Sequence, residues 1–264
     1  MVRPRIAPCL LVKDGGLVKT QAFGSPKYVG DPINAVRIFN EKEVDEIIVL
    51  DIDATAQRRG PNYDLIRKLA AECRMPLAYG GGVTRVEEFE RLVGLGVEKV
   101  CLSAAAVSVP GLVAAASQVV GSQSVAVVMD VGVGKGFSGY QLFTHNSKVA
   151  TGLEPADFAA RMTREGAGEI IVNSITRDGM MKGYDLALAK LVRDSVATPM
   201  TVLGGAGSLR DISALIESFG VIGAAAGSLF VFKGVYRAVL INYPNRELKD
   251  KLVAEAIATF DRGC

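Results

Sequence analysis

The stretch that most constrains this chain is Arg5-Ile-Ala-Pro-Cys-Leu-Leu-Val-Lys13. It starts on a charge, runs apolar, and exits into a glycine-containing segment that carries lysines as far as Lys19. A parallel strand buried on both faces reads this way. A second run of the kind, Ser124-Val-Ala-Val-Val-Met-Asp130, returns with Asp130 lying 119 positions after Leu11. The second copy ends on a carboxylate where the first has leucine. Two copies of one unit must find equivalent places in the fold, so this mismatch marks where their chemistry differs.

The pattern predicts strands over 6–12, 46–54, 76–80, 98–104, 124–130, 168–175, 199–203 and 221–226. Helices are predicted over 33–42, 63–72, 86–95, 110–120, 154–164, 185–194 and 209–219, with a C-terminal pair around Tyr236 and over 248–260. Gly96, Gly121, Gly166 and Gly220 follow helices, where a left-handed residue commonly ends one. Pro110, Asp185 and Ser208 are placed to start helices. Eight strands alternating with helices in 264 residues read as an α/β fold, a single (β/α)8 TIM barrel spanning 1–264. A doubly wound sheet is the rival, but the first turn lacks a Gly-x-Gly-x-x-Gly fingerprint. Further matches support two half-barrel repeats, about 1–122 and 123–264. Gly80-Gly-Gly-Val83 matches Gly204-Gly-Ala-Gly207, Asp51 matches Ser174, and Ser103 matches Gly227, all at offsets of 123 or 124.

A net charge of +2 gives no reason to expect nucleic acid or a membrane surface as partner. No apolar run reaches the roughly 18 residues of a membrane helix, and the first residues lack a signal-peptide core, so a cytoplasmic protein is expected. Cys9, Cys73, Cys101 and Cys264 match no metal-ligand spacing. Cys9 and Cys101 fall within predicted strands and read as small core residues. The one histidine, His145, reads as a surface loop residue. No metal and no cofactor are expected.

Four constellations carry chemistry. Gly81 and Gly82 with Ser103, and Gly204 and Gly205 with Gly227 and Ser228, follow strands. Backbone N–H groups can approach an anion closely there, as in phosphate-binding loops. Arg5, Glu46, Lys99 and Glu169 begin strands, and for Arg5 and Lys99 parity points the charge inward. Together they form a charge-balanced polar ring at the barrel's bottom. The segment from Lys13 to Gly30 is long for a barrel connection and reads as a lid whose Lys19 meets an anion. Asp130, at the C-terminal end of an inward strand position, is the leading acid/base candidate. Asp51, Asp53 and Asp178 come second. Asp51 follows an apolar run and can instead orient its neighbours.

The motifs Val12-Lys-Asp-Gly15, Gly30-Asp-Pro32, Leu50-Asp-Ile52, Gly80-Gly-Gly82, Arg177-Asp-Gly179, Gly183-Tyr-Asp185 and Gly204-Gly-Ala-Gly207 are together specific. Through them essentially the whole chain resembles the cyclase subunit of imidazole glycerol phosphate synthase. That family closes an imidazole ring with ammonia, which a separate glutaminase subunit docked at the bottom face sends through the barrel. The resemblance implies that Arg5, Glu46, Lys99 and Glu169 are the ammonia gate, that Lys19 is the mobile-loop lysine, and that Asp130 is one of two catalytic aspartates. It also implies that Asp178 belongs with the substrate-binding residues.

The second catalytic aspartate falls on Leu11, which cannot exchange a proton. The family's Asn-Thr after strand 4 is Ser103-Ala104 here, and its Asp-x-Asp-Gly-Thr in strand 6 becomes Thr176-Arg-Asp-Gly-Met180. The stretches Pro26-Lys-Tyr-Val-Gly-Asp-Pro-Ile-Asn34 and Val239-Leu-Ile-Asn-Tyr-Pro244 resemble paralogues associated with acetamidino modification of surface-polysaccharide sugars. Those paralogues are thought to work beside a glutaminase and a sugar amidotransferase, on a phosphorylated or nucleotide-linked small molecule. The alternatives are authentic imidazole glycerol phosphate cyclisation and a non-catalytic ammonia conduit.

Overall fold

The computed structural model describes residues 3–134, 139–234 and 236–263. Eight parallel strands form the barrel: β1 (Arg5–Lys13), β2 (Ile47–Asp51), β3 (Leu77–Gly80), β4 (Lys99–Leu102), β5 (Val125–Val133), β6 (Glu169–Ser174), β7 (Met200–Leu203) and β8 (Gly223–Ala226). The sheet closes because β8 pairs with β1 and β5 with β6. The outer helices are α1 (Pro32–Glu41), α2 (Tyr63–Glu72), α3 (Val86–Gly94), α4 (Leu112–Val120), α5 (Pro155–Arg164), α6 (Leu186–Arg193), α7 (Leu209–Phe219) and α8 (Arg246–Gly263).

The continuous apolar runs arise because both strand faces are covered. Outward residues such as Ile6, Leu10, Ile47, Tyr79 and Val172 pack with the helices in one large core. Each such side chain contributes about 1.5–3 kcal/mol by leaving water. Inward residues form a second cluster, in which Ala7, Cys9, Ala78, Cys101, Ala126 and Ala225 pack with the larger Ile48, Val128, Ile171 and Leu203. Six of the ten are alanine or cysteine, where a barrel interior is normally filled by branched side chains.

Helix starts are capped by side chains at Asp185 and Ser208, as the sequence predicts, and at Asp31 besides. Asp31 accepts from the Asn34 amide at 2.8 Å ahead of Pro32, Asp185 accepts from Leu188, and Ser208 and Asp211 form a reciprocal box. Other boundaries differ from the prediction. The second strand stops at Asp51, because its carboxylate accepts from the Asp53 and Ala54 amides and turns the chain. The fourth strand stops at Leu102, because Ala104–Ser108 winds into a short helix. The following helix begins at Leu112 rather than Pro110, behind a left-handed Gly111. Among the described residues no helix forms around Tyr236. Phe232–Lys233 and Ala238–Val239 instead pair as a small hairpin, with the Arg237 guanidinium 4.7 Å from the Phe232 ring.

The segment after β1 is not a loop but an antiparallel hairpin, Gly16–Gln21 with Gly24–Gly30. A second hairpin follows β5, in which Tyr140–Thr144 pairs back on β5 and then with Val149–Ala150. Both cross the mouth. The first reaches the loop after β6, where the Ala22 amide donates to the Asp178 carbonyl and the Thr20 hydroxyl to the Asp178 carboxylate. The second reaches the loop after β2, where the Asn146 amide donates to the Ile52 carbonyl at 2.8 Å. Each spans three strands in the same rotational sense.

Candidate functional site

A cavity of about 290 Å³ lies under the hairpins at the C-terminal ends of the strands. The sequence-predicted Lys19, Asp130, Asp178, Ser103 and both sets of glycines line it, with Ser228. Leu11 lines it too, from β1, four strands round the barrel from Asp130 on β5.

Asp130 is partly buried. Its Oδ1 accepts from Asn173 Nδ2 at 2.9 Å and its Oδ2 from the Ser103 hydroxyl at 3.3 Å. Burial raises its pKa to about 6, against the pull of those two donors and with a small push from Asp178. A carboxyl poised there exchanges a proton near neutral pH. Asp178 is also raised by burial, opposed by the Thr20 hydroxyl and by Lys19.

Lys19 reaches inward from the first hairpin and is buried. Its Nζ donates to the Cys9 carbonyl at 2.5 Å, and burial lowers its pKa. It lies against Gly227, where an added Cβ would collide with the ammonium. Gly204 and Gly205 have φ of +89° and +118°. A Cβ on Gly204 would meet Asn173 Oδ1 at 2.8 Å, and one on Gly205 would strike the Gly183 carbonyl. Gly81 and Gly82 are equally tight in the first half, against Asp51 and against the Arg59 carbonyl. Three of the four buried side-chain atoms that lack a hydrogen-bond partner among the described residues line this cavity: Asp53 Oδ2, Asn173 Oδ1 and Ser228 Oγ. Orphaned buried polar atoms are rare, and their convergence marks a ligand site.

His145 is exposed, as its loop position predicts, and touches the cavity rim at a left-handed turn. Cys9 and Cys101 are buried and unpaired, and burial raises the Cys9 thiol to about 11, which suits a core role.

At the opposite end of the barrel the four strand-start charges close into a ring. Arg5 donates to Glu46 at 2.6 Å and to Glu169 at 2.7 Å, and Lys99 donates to the same two carboxylates, each at 2.7 Å. The Thr201 hydroxyl adds a bond to Glu169 at 2.5 Å. Burial alone would raise Glu169, but Lys99, Arg5 and Thr201 bring it below the usual range. Glu46, without a threonine and facing the charge of Glu169, is left above it by burial. Arg5, Lys99 and Glu169 also line a groove of about 900 Å³ on the bottom face.

Three partners of these groups were missed in the sequence: Asn173, Thr201 and Thr20. Asn173 carried a weak signal, as the one amide in the apolar run Ile170-Ile-Val-Asn173. Thr201 and Thr20 carried none that separates them from ordinary strand threonines.

Comparison with known proteins agrees with this geometry. The family model described as "Histidine biosynthesis protein" matches residues 5–237. A protein of Leptospira interrogans provisionally named imidazole glycerol phosphate synthase subunit HisF is 51% identical over 252 residues, covering 96% of this chain and 99% of the relative. One of Pseudomonas aeruginosa, provisionally named subunit hisF2 of the same synthase, is 50% identical over 246 residues, covering 93% and 97%. The imidazole glycerol phosphate synthase subunit HisF of Hyphomonas neptunium is 39% identical over 233 residues, covering 88% and 91%. With a closed eight-stranded barrel, a ligand cavity at one end and a charge ring at the other, the chain belongs to the histidine-biosynthesis protein family, on the HisF side of imidazole glycerol phosphate synthase.

Proposed function

We propose that this chain is the ammonia-using synthase subunit of a glutamine amidotransferase pair, and that it serves acetamidino-sugar formation in surface-polysaccharide synthesis. The observation that carries the reading is Leu11. The ring, the small-residue interior and the second-half cradle are all present, yet the position equivalent to Asp130 holds a side chain that cannot exchange a proton. Imidazole ring closure in this family takes a carboxylate from each half, and one is missing. The copy numbers in the names hisF2 and hisF3 of two close relatives support a paralogue.

In this reading a glutaminase seats on the bottom groove. Ammonia passes the Arg5–Glu46–Lys99–Glu169 ring and moves along the narrow interior past Ala7, Cys9 and Cys101. A neutral molecule of that size meets little steric resistance from such side chains. In the cavity Asp130 is the acid/base group, held by Asn173 and Ser103. Lys19 and the Gly204–Gly205 and Gly227–Ser228 segments hold the anionic part of the substrate. A sugar amidotransferase is the expected further partner, and the protein is expected to work in the cytoplasm; among the described residues no helix is long and apolar enough to cross a membrane.

The test is ammonia-dependent turnover of the imidazole glycerol phosphate precursor by wild type and Leu11→Asp. Wild type is expected to be inactive and Leu11→Asp to recover measurable turnover. Turnover by wild type at the rate of a histidine-pathway cyclase overturns the proposal.

A further inference from the structure

The two ends of the cavity have equivalent glycine turns but different electrostatics: the charges at the β2–β4 end are paired with one another, and the lysine at the β7–β8 end has no ion pair among the described residues. We infer that the cavity takes a ligand with a single phosphoryl group, seated at the β7–β8 end, and that the β2–β4 end takes a neutral, hydrogen-bond-donating group such as a sugar hydroxyl. This deepens the proposed function and rests on its reading of the cavity as the substrate site.

At the β7–β8 end the donors are free for an anion. Ser228 is buried and its hydroxyl has no hydrogen-bond partner among the described residues. Lys19 lies against the neighbouring Gly227, and among the described residues its one hydrogen bond goes to the neutral Cys9 carbonyl. No carboxylate stands within ion-pair distance of its ammonium among the described residues, and Asp178 supports it only from farther away, so the buried ammonium faces the glycine turn without a contact partner of opposite charge. Burying such a charge is costly until an anion joins it.

At the β2–β4 end each corresponding element is already spent or reversed. The Ser103 hydroxyl donates to Asp130, and Ala104 beside it has no hydroxyl to offer. Lys13 is taken by Asp53 at 3.5 Å, and Arg59 by Asp51 at 3.5 Å. Asp51 and Asp53 are both buried and line the cavity, and the Lys13 ammonium that stands 3.5 Å from Asp53 Oδ2 makes an ion pair there without a well-formed hydrogen bond. Two cations spent on two carboxylates leave this end neutral and rich in acceptors, which suits an O–H or N–H better than a phosphate. Leu11 and Leu50 line the cavity between the ends with apolar surface. Lys148 also lines it, but from the exposed rim of the second hairpin.

Calorimetric titration of the full chain with inorganic phosphate tests this, together with fructose 6-phosphate and fructose 1,6-bisphosphate as probes bearing one phosphate and two. The expected result is one phosphate per chain and no gain from the second phosphate of the sugar. Ser228→Ala, which removes a donor to a charged group, should weaken phosphate binding about tenfold. Asp53→Asn, which releases Lys13, should leave the first phosphate unchanged and let the bisphosphate bind about tenfold more tightly than wild type does. Two phosphates per wild-type chain, or a wild-type preference for the bisphosphate on the order of 10², overturns the inference and leaves the synthase reading standing. No phosphate bound overturns both. Should Ser228→Ala not fold, the wild-type stoichiometry decides alone.

Discussion

Asn173 on β6 stands in register with Asp130 on β5 and donates its amide to Oδ1 at 2.9 Å, while its own Oδ1 points to no donor. That bond fixes the asparagine's orientation and leaves its acceptor beside Gly204. It also opposes the burial that raises Asp130 to about 6. Asn173→Ala should therefore raise the Asp130 pKa further, by roughly one unit if the bond is worth about 1–1.5 kcal/mol. The pH dependence of turnover, or a direct carboxyl titration by NMR, should show the acidic limb moving upward. An unmoved limb would mean that Asp130 is not the group being read.

The same shift is a stability statement. A carboxyl whose folded pKa is about 6 rather than 3.8 binds protons more tightly folded than unfolded. Its stabilising contribution is complete below about pH 4 and is lost as pH rises through about 6. Asp130→Asn removes that loss. The variant should be more stable than wild type at pH 7 by about 1–2 kcal/mol, discounted for partial exposure, and equal to it near pH 4. Urea unfolding at the two pH values measures both. Greater stability together with loss of turnover is the signature of a group kept for chemistry.

Much of this arrangement was legible in the sequence because burial on both strand faces leaves unbroken apolar runs. A charge at the head of such a run, as at Arg5 or Lys99, can be assigned inward by parity alone. The hairpins were not legible. Gly24–Gly30 is largely exposed, so it has no alternation, and its glycines and proline imitate a loop. The turn before it depends on Ala22 and Phe23 at positive φ, and Ser25 within it is at positive φ too, which those residue types do not announce. The apolar residues near Tyr236 imitate a helix face, whereas contacts of Phe232 with Arg237 and Lys27 decide the local structure. The occupied state of Ser103 could not be read either, since its partner lies on another strand.

The charge ring offers a test free of substrate. Lys99 lies between Glu46 and Glu169, and its side chain is only 15% exposed. Lys99→Met leaves both carboxylates to Arg5, so it should cost about 3–5 kcal/mol at pH 7, as broken buried pairs do. The cost should shrink as pH falls, because Glu46, raised by burial above the ordinary carboxylate range, takes up a proton first and no longer needs the lysine. Urea melts at successively lower pH would show it. A cost below about 1 kcal/mol at every pH would mean that the ring behaves as a solvated surface cluster.

The glycine cradle is tested by a matched pair of alanines. Gly205 has φ of +118°, and its added Cβ would strike the Gly183 carbonyl and lie 3.1 Å from the Arg177 Cβ. Gly15, in the turn leading into the first hairpin, has φ of +78° with nothing within 4 Å of an added Cβ. Both alanines incur the left-handed cost of about 1–2 kcal/mol, but only Gly205→Ala must also displace backbone. Gly15→Ala should lose about 1 kcal/mol and keep phosphate binding. Gly205→Ala should lose more than about 3 kcal/mol, or fold with the cradle pushed open and phosphate affinity reduced at least tenfold. Equal losses in the two variants would show that the close approach of Gly205 to Gly183 is not what shapes this end of the cavity.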